Sequence, residues 1–397
     1  MLISISASWM LYFAFAHTIL YVSLLQVKYL VNLYNNDKID KGGFNMSYEL
    51  GMQAFNLEMP DIVPRTEYAY QLAFGLLKAV TGINVDKDSD GDTKFDAVTA
   101  FERAWDISLF WATKIGSGVF GSKRTTMGHS GFEEGYKDYV DNKHQAFTNL
   151  EEIYNLDFDE TYGRIDKKAT ADMLYEDFLQ RSRRHPTGVN TSGIYVTCIS
   201  GMLEILGWDM LLLAAGEDPK RFGEFAIRYS KWISQYFQAL AQSDVPVCMI
   251  HDDMVWSSGP FIAPSWYDKY VFPYVKKNIS YLKEAGKKVL FTCDGGYDLF
   301  VDRFVDMGVD ALIFEPLTDL KYICERYGKT HSIIGNVDTR IIMRGSREDI
   351  ENEVKRCMDL GKPCPGYMLA IGNQISPGSS VENLLYYNEV YEKLKRR

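Results

Sequence analysis

The chain lacks most of what would mark it as secreted, modular or nucleic-acid binding. Its six cysteines, spread over 397 residues, form no CxxC pair and no short secreted framework. They are read as reduced thiols of a cytosolic protein rather than as a disulfide scaffold. Basic residues are in deficit: 43 Lys and Arg against 53 Asp and Glu leave a net charge of −10. That balance excludes nucleic acid and an anionic membrane surface as expected partners. No long Pro/Gly/Ser linker and no low-complexity tract divides the sequence, as expected for one large domain. Charge is also missing from the first 27 residues, a run long enough to span a bilayer. A signal peptide would carry a basic start, which this run does not have. As an anchor, followed by Lys28, it would leave the main domain cytoplasmic. The preferred reading is different. Lys41-Gly42-Gly43-Phe44-Asn45-Met46 can be encoded as AAA-GGA-GGT-TTT-AAC-ATG, a purine-rich ribosome-binding sequence ahead of a start codon. Residues 1–45 are then a translated leader, and 46–397 are the domain.

What is present is a repeat. From about Pro246 onward, a short apolar run ends in a polar tip and is followed by a helix-patterned stretch. The runs 245–250, 288–292, 311–314, 332–334 and 367–371 end in His251-Asp252-Asp253, Cys293-Asp294-Gly295-Gly296, Glu315-Pro316, Gly335-Asn336-Val337-Asp338 and Gly372-Asn373-Gln374. Continuous apolar runs between amphipathic helices are what a parallel sheet buried on both faces requires. In a closed α/β barrel the carboxyl ends of the strands build the active site, so these tips are site candidates by position. Before the repeat, 46–115 read as a helical extension, with helical spacing over 68–79 and 95–115. Residues 116–165 are expected to hold one or two early strands and a substrate-side excursion. A helix over 168–184, a strand at Ile194–Cys198 and a helix over 225–242 follow. Asp86, Asp88, Asp90 and Gly91 match the opening of an EF-hand loop, but its closing Glu is replaced by Ala97, so a solvated acidic turn is expected.

Adjacent carboxylates at one tip commonly divide their work, one bonding backbone amides and one facing the cavity. Two that face each other can share a metal or raise one another's pKa. From about Ser192 to Tyr391 the sequence resembles the uroporphyrinogen decarboxylase superfamily, which includes corrinoid-dependent methyltransferases. The resemblance is carried in order by Asp252-Asp253, Gly259-Pro260, Pro273-Tyr274, Ala285-Gly286-Lys287, Gly308-Val309-Asp310, Glu315-Pro316, Tyr327-Gly328, Gly335-Asn336-Val337-Asp338 and Glu382-Asn383. It implies a (β/α)8 barrel. True decarboxylases of this family carry an arginine-rich Met-Arg-Gln-Ala-Gly-Arg stretch near their start, whose arginines hold the substrate's carboxylates. Here only Asp61-Ile62-Val63-Pro64-Arg65 stands there, which is more like the methyltransferase branch. That branch implies zinc and a corrinoid carried by a partner protein. Its His-x-Cys ligands align with Phe291 and Cys293 and its later Cys with Asn373 or a neighbour, so two of three ligands are absent.

The sequence therefore leads to a barrel enzyme moving a methyl group between a small substrate, such as an aryl methyl ether, and a corrinoid protein. Asp252, Asp253, Asp294 and Glu315 are the expected catalytic acids. Cys293 and Glu315 are the expected metal ligands, with Cys293 as a plain turn residue the open alternative. His251, Asn336, Asp338, Arg340 and Asn373 are expected to bind substrate. Decarboxylation of a carboxylated substrate, and a non-enzymatic corrinoid or tetrapyrrole binder, are the alternatives. Deleting residues 1–45 is expected to leave a soluble, folded protein; loss of soluble expression, with membrane fractionation of the full chain, would contradict the leader reading.

Overall fold

A computed structural model describes residues 46–125, 145–375 and 378–397, with the backbone of 131–132 and 138–139; the 1–45 leader lies outside the described residues. Its strands are β1 (Leu109–Phe110), β2 (Val189–Asn190), β3 (Ser192–Ile194), β4 (Val247–His251), β5 (Lys288–Thr292), β6 (Ala311–Ile313), β7 (Ser332–Ile334) and β8 (Tyr367–Met368). Strands β3 to β8 form one sheet in sequence order, and every pairing in it is parallel. β2 continues through Thr191 into β3 and pairs with β1. Residues 64–67 close the ring: Leu369 N donates to Pro64 O at 2.9 Å, Thr66 N to Leu369 O at 3.0 Å and Ser108 N to Arg65 O at 2.9 Å. Eight parallel segments thus make the expected (β/α)8 barrel.

Two boundaries differ from the sequence expectation. The helix read over 95–115 is Gly91–Ala104, after which Asp106 turns through a positive φ of 49° and the chain enters β1. Ile107 and Leu109, both fully buried, follow the two-residue period of a strand, which a helical window absorbed. The strand expected at Ile194–Cys198 ends at Ile194. Gly193 explains its start: a Cβ there would lie 1.8 Å from Met249 O, so only glycine permits this approach to β4. In the 116–165 stretch Gly131–Phe132 pairs antiparallel with Asp138–Tyr139. The acidic run at 86–92 works as a turn and cap. Asp90 accepts from Thr93 N at 2.7 Å, and Asp86 from Asp88 N and Ser89 Oγ at 3.0 Å each.

Strand side chains divide between two cores. Val247, Met249, Leu290, Ala311, Ile313, Ile334 and Met368 pack together inside the barrel with Ala54 and Phe55. The helix Met46–Phe55 therefore stops the amino-terminal end, and Ser332 Oγ donates to Ala54 O at 2.9 Å. Cys248, Ile250, Val289, Phe291, Leu312 and Ile333 belong to the larger core between strands and helices. The helix Ile199–Glu217 is the one among the described residues long and apolar enough to cross a membrane, but two-thirds of that window is buried. Gly207, at φ 70° and ψ 167°, breaks it in the middle.

The closing segment carries a buried acid. Glu67 accepts from Tyr387 Oη at 2.7 Å and Ile371 N at 3.2 Å. Burial pushes its carboxyl up to about 7, against the opposing pull of Arg65, Tyr387 and the Ile371 amide. The folded protein thus holds a proton that the unfolded chain releases near 4.5. Stability from this group is complete below 4.5 and is lost as pH rises to about 7. The predicted consequence is that Glu67→Gln gains roughly 3 kcal/mol on the wild type across that window, by the worth of a pKa unit. Urea denaturation of both proteins at pH 4.5 and 7.5 checks it, and a pH-independent difference would contradict it.

Candidate active site

The alternation inside the strands continues into the tips. His251 and Asp253 keep the inward register of Val247 and Met249, Asp294 that of Leu290, and Glu315 that of Ala311 and Ile313. Asp252 and Cys293 fall on the opposite register, with Cys248 and Phe291. The inward set meets at the carboxyl mouth. His251 Nε2 lies 3.0 Å from Asp253 Oδ1, which also accepts from Asp294 N at 3.2 Å. Asp253 Oδ2 accepts from Tyr195 Oη at 3.0 Å, and the Tyr195 ring stands edge-on to His251 at 4.5 Å. Glu315 accepts from Gly295 N at 2.5 Å and from Asn373 Nδ2 at 2.7 Å; the same amide lies 3.4 Å from Asp294 Oδ2. Gly295 is required here, because its φ is +90° and a Cβ would lie 2.6 Å from Trp256 O. Asn373 adopts φ +65°, a conformation that asparagine tolerates better than most residues. A cavity of about 110 Å³ opens above this group, walled by Tyr68, Trp111, Tyr195, Met249, His251, Asp294 and Asn373.

Burial and mutual charge divide the protons unequally. Burial pushes the Asp294 carboxyl up to about 7, helped by the negative charges of Asp253 and Glu315. Burial also acts on Asp253, but His251, the Asp294 amide and the Tyr195 hydroxyl outweigh it and hold Asp253 below the usual carboxylate range. For His251, burial pulls the imidazole down while the surrounding Asp253, Asp294 and Asp252 charges leave it net above its ordinary value. The His251–Asp253 pair is thus biased toward imidazolium and carboxylate, beside an Asp294 carboxyl pushed up to about 7. His251, Asp253 and Asp294 can also each offer one ligand atom, all within 4.8 Å of one another. One imidazole and two carboxylates suit a divalent ion that keeps an open coordination position. A metal would have to displace the protons on His251 and Asp294.

Several expected site residues have other work. Asp252 is fully buried and accepts from Ser200 N at 2.7 Å and Ile199 N at 3.3 Å, at the start of the helix Ile199–Glu217. It anchors that helix and does not reach the cavity. Cys293 is likewise fully buried, with Sγ against Met254 N at 3.4 Å. Burial raises its thiol well above the ordinary value, and it takes no part in the metal-competent group; nor does Glu315, whose oxygens bind Gly295 and Asn373. Asn336, 1% exposed, donates to Glu315 O at 3.2 Å and Thr318 O at 2.9 Å, and so ties two loops together. Asp338 caps the helix Thr339–Arg344 and pairs at 2.6 Å with the exposed Arg340. Asn373, in contrast, does line the cavity. Tyr195, Tyr68 and Trp111 were not anticipated. Tyr195 follows β3 directly, so the strand-end rule would have found it had the strand been placed correctly.

Residues 195–394 match the family model described as Uroporphyrinogen decarboxylase (URO-D). A uroporphyrinogen decarboxylase of Prochlorococcus marinus (strain MIT 9312) is 26% identical over 189 residues, 47% of this chain and 53% of that protein. One from Geobacter sulfurreducens is 26% identical over 163 residues, 41% of this chain and 46% of that protein. The chain thus spans about half the length of the curated relatives it matches. Among solved structures, a methyltransferase from Methanosarcina mazei superposes with a TM-score of 0.58 at 15% identity, covering 87% of this chain and 98% of that one; at that identity the likeness is one of fold.

The site geometry predicts which substitutions affect a metal. In zinc titrations followed by calorimetry, His251→Ala and Asp294→Asn should each weaken Zn²⁺ binding at least tenfold, while Cys293→Ser binds like the wild type. Affinity should rise with pH through about 7, as Asp294 gives up its proton. Loss of Zn²⁺ in Cys293→Ser alone would return the thiol to the ligand set.

Proposed function

The chain belongs to the uroporphyrinogen decarboxylase family, and from that premise we propose that it is an enzyme transferring a methyl group from a small methylated substrate, such as an aryl methyl ether, to a corrinoid carried by a partner protein. The observation that carries this reading is the charge of the cavity. Its lining holds His251 and Asp294 with the phenols of Tyr68 and Tyr195, and Asp253 and Glu315 bond to that group from behind. Arg65, the arginine nearest the position where decarboxylases of the family hold substrate carboxylates, is fully buried. It is sandwiched between the rings of Trp105 and Tyr391, 4.4 and 4.3 Å away, and donates to Trp105 O and Asn388 Oδ1. A substrate bearing many carboxylates needs several guanidinium partners. An acidic, aromatic cavity of this size favours a small neutral molecule instead.

Asp294 is the residue suited to the chemistry. An ether oxygen leaves poorly as an anion, and a buried acid with a pKa near the working pH is an efficient donor to it. As the C–O bond breaks, its electron pair stays on oxygen and takes the Asp294 proton, while the acceptor takes the methyl group. The His251–Asp253 pair holds Asp294 in place through the Asp294 amide, and its imidazolium form would put a positive charge beside the leaving oxygen. A divalent ion held by His251, Asp253 and Asp294 would supply Lewis-acid polarisation of the same oxygen. The carboxy-lyase reading draws on the family match, and Asp294 suits protonation of a carbanion as well.

The two modes of assistance have opposite pH signs. With Asp294 as the acid, transfer should fall as pH rises through about 7, and Asp294→Asn should cost at least tenfold in kcat with the fold intact. The assay is methyl transfer from anisole-type donors to a reduced corrinoid acceptor, with release of CO₂ from carboxylated substrates measured in parallel. A rate that instead rises through 7 points to the metal-assisted form, and CO₂ release without methyl transfer refutes the proposal.

A further inference from the structure

A second cavity of about 280 Å³ adjoins the first and shares Tyr68, Trp111, Ala112 and Thr113 with it. Its walls include flat rings: Tyr68 and Trp111 lie 4.6 Å apart, and Phe110 is stacked on His185 at 4.8 Å. Where the first cavity is acidic, the lining of the second contains Arg181, from the last turn of the helix Lys167–Arg184. Arg181 Nε donates to Asp177 Oδ2 at 2.9 Å, and the side chain is one-third exposed. Among the described residues Nη1 and Nη2 have no hydrogen-bond partner, and neither is buried. The guanidinium thus spends its Nε–H on the protein and keeps the Nη–H groups of its fork.

The charge around Arg181 is unbalanced. Asp177 also lies 3.3 Å from Lys114 Nζ, so two cations share one carboxylate and one positive charge is left over. Burial raises the Tyr68 phenol, and the Asp294 charge adds to that rise while the Arg181 charge opposes it. Tyr68, common to both cavities, therefore stands between an acidic pole and a basic one. Nearby acids are already engaged. Glu67, in the same lining, accepts from Tyr387 Oη and Ile371 N and faces the charge of Arg65. Glu102, fully buried, has its oxygens 2.8 and 2.9 Å from His185 Nδ1. We propose that the second cavity binds a single carboxylate carried on a flat aromatic ring, with the Nη edge of Arg181 as its partner. The planar fork suits a carboxylate, and one excess positive charge matches one negative charge. A second negative charge, as on phosphate, would stand uncompensated beside Glu67. Only the further claim that this carboxylate belongs to the methyl donor, whose neutral methylated end then meets Asp294, rests on the proposed methyl transfer. The carboxylate is in that case an anchor and not the group that reacts.

Calorimetric titration of the full chain with benzoate, benzamide and inorganic phosphate, without corrinoid, separates the two ideas. Benzamide has the shape of benzoate without its charge. Benzoate should bind at least tenfold more tightly than either of the others. Arg181→Gln keeps an N–H for Asp177 and removes the charge and the fork; it should weaken benzoate at least tenfold and leave benzamide within twofold. Arg181→Lys keeps the charge without the fork and should weaken benzoate at least threefold. No benzoate binding, benzamide or phosphate binding as tightly as benzoate, wild-type benzoate affinity in either variant, or an equal loss of benzoate and benzamide in both overturns the proposal. Selective benzoate binding without any methyl transfer supports this site and tells against the proposed reaction alone. Methyl transfer from anisole-type donors by a protein that does not bind benzoate does the reverse.

Discussion

In a closed barrel, consecutive residues of a strand must point to opposite sides, and both sides are buried. That constraint sorts every chemical group at the mouth. It sends His251, Asp253, Asp294 and Glu315 toward the barrel axis, and Asp252 and Cys293 toward the helices. Adjacent carboxylates in one dipeptide thereby acquire unrelated roles. Asp252 replaces the missing backbone partners at the start of a helix, where a carboxylate is well placed, while Asp253 shares a proton network with His251. The ring closure at residues 64–67 enforces the register, since without it the inward faces would have no common interior.

Once gathered, the inward groups of this site do not ionise alike. Three carboxylates around one imidazole in a mostly buried space carry more negative charge than a single cation offsets. Asp294 yields, because Asp253 has the closer cation and the stronger hydrogen bonds from Tyr195 and the Asp294 amide. Glu315 is held by Gly295 and Asn373. The proton on Asp294 is thus a product of the whole arrangement rather than of any one contact. A divalent cation held by His251, Asp253 and Asp294 would occupy the same electrostatic position and displace that proton.

The fold was legible because its signals add. Five apolar runs with polar tips, each ambiguous alone, point to one architecture, and the Lys288–Thr292 and Ser332–Ile334 strands stand where the apolar runs were drawn. The site was legible only in part. Strand tips identified His251, Asp253, Asp294, Glu315 and Asn373 as neighbours in space. Which member of Asp252-Asp253 or Cys293-Asp294 faces inward was hidden, because a strand apolar on both faces shows no alternation. Counting by twos from the strand would have separated them, but requires knowing which apolar face is the interior. Asp338 and Arg340 stand outside the cavity lining, paired by a local effect in which an aspartate preceding a helix bonds its own first turn. Tyr195 was hidden by a misplaced boundary, and the Glu102–His185 pair by 83 residues of separation.

The two cavities differ in how their polar groups are paired. In the first, the polar groups satisfy one another: His251 with Asp253, Asp294 near Asn373, Glu315 with Gly295. Such a network gains little from an added hydrogen bond. In the second, His185 is tied to Glu102, while Asn190 Oδ1 and Trp111 Nε1 are closed off in the wall without a partner. The proton balance around Asp294 is thus set by groups of the barrel itself, namely Asp253, His251 and Glu315, and owes nothing to the rings on the far side of the Tyr68–Trp111 wall.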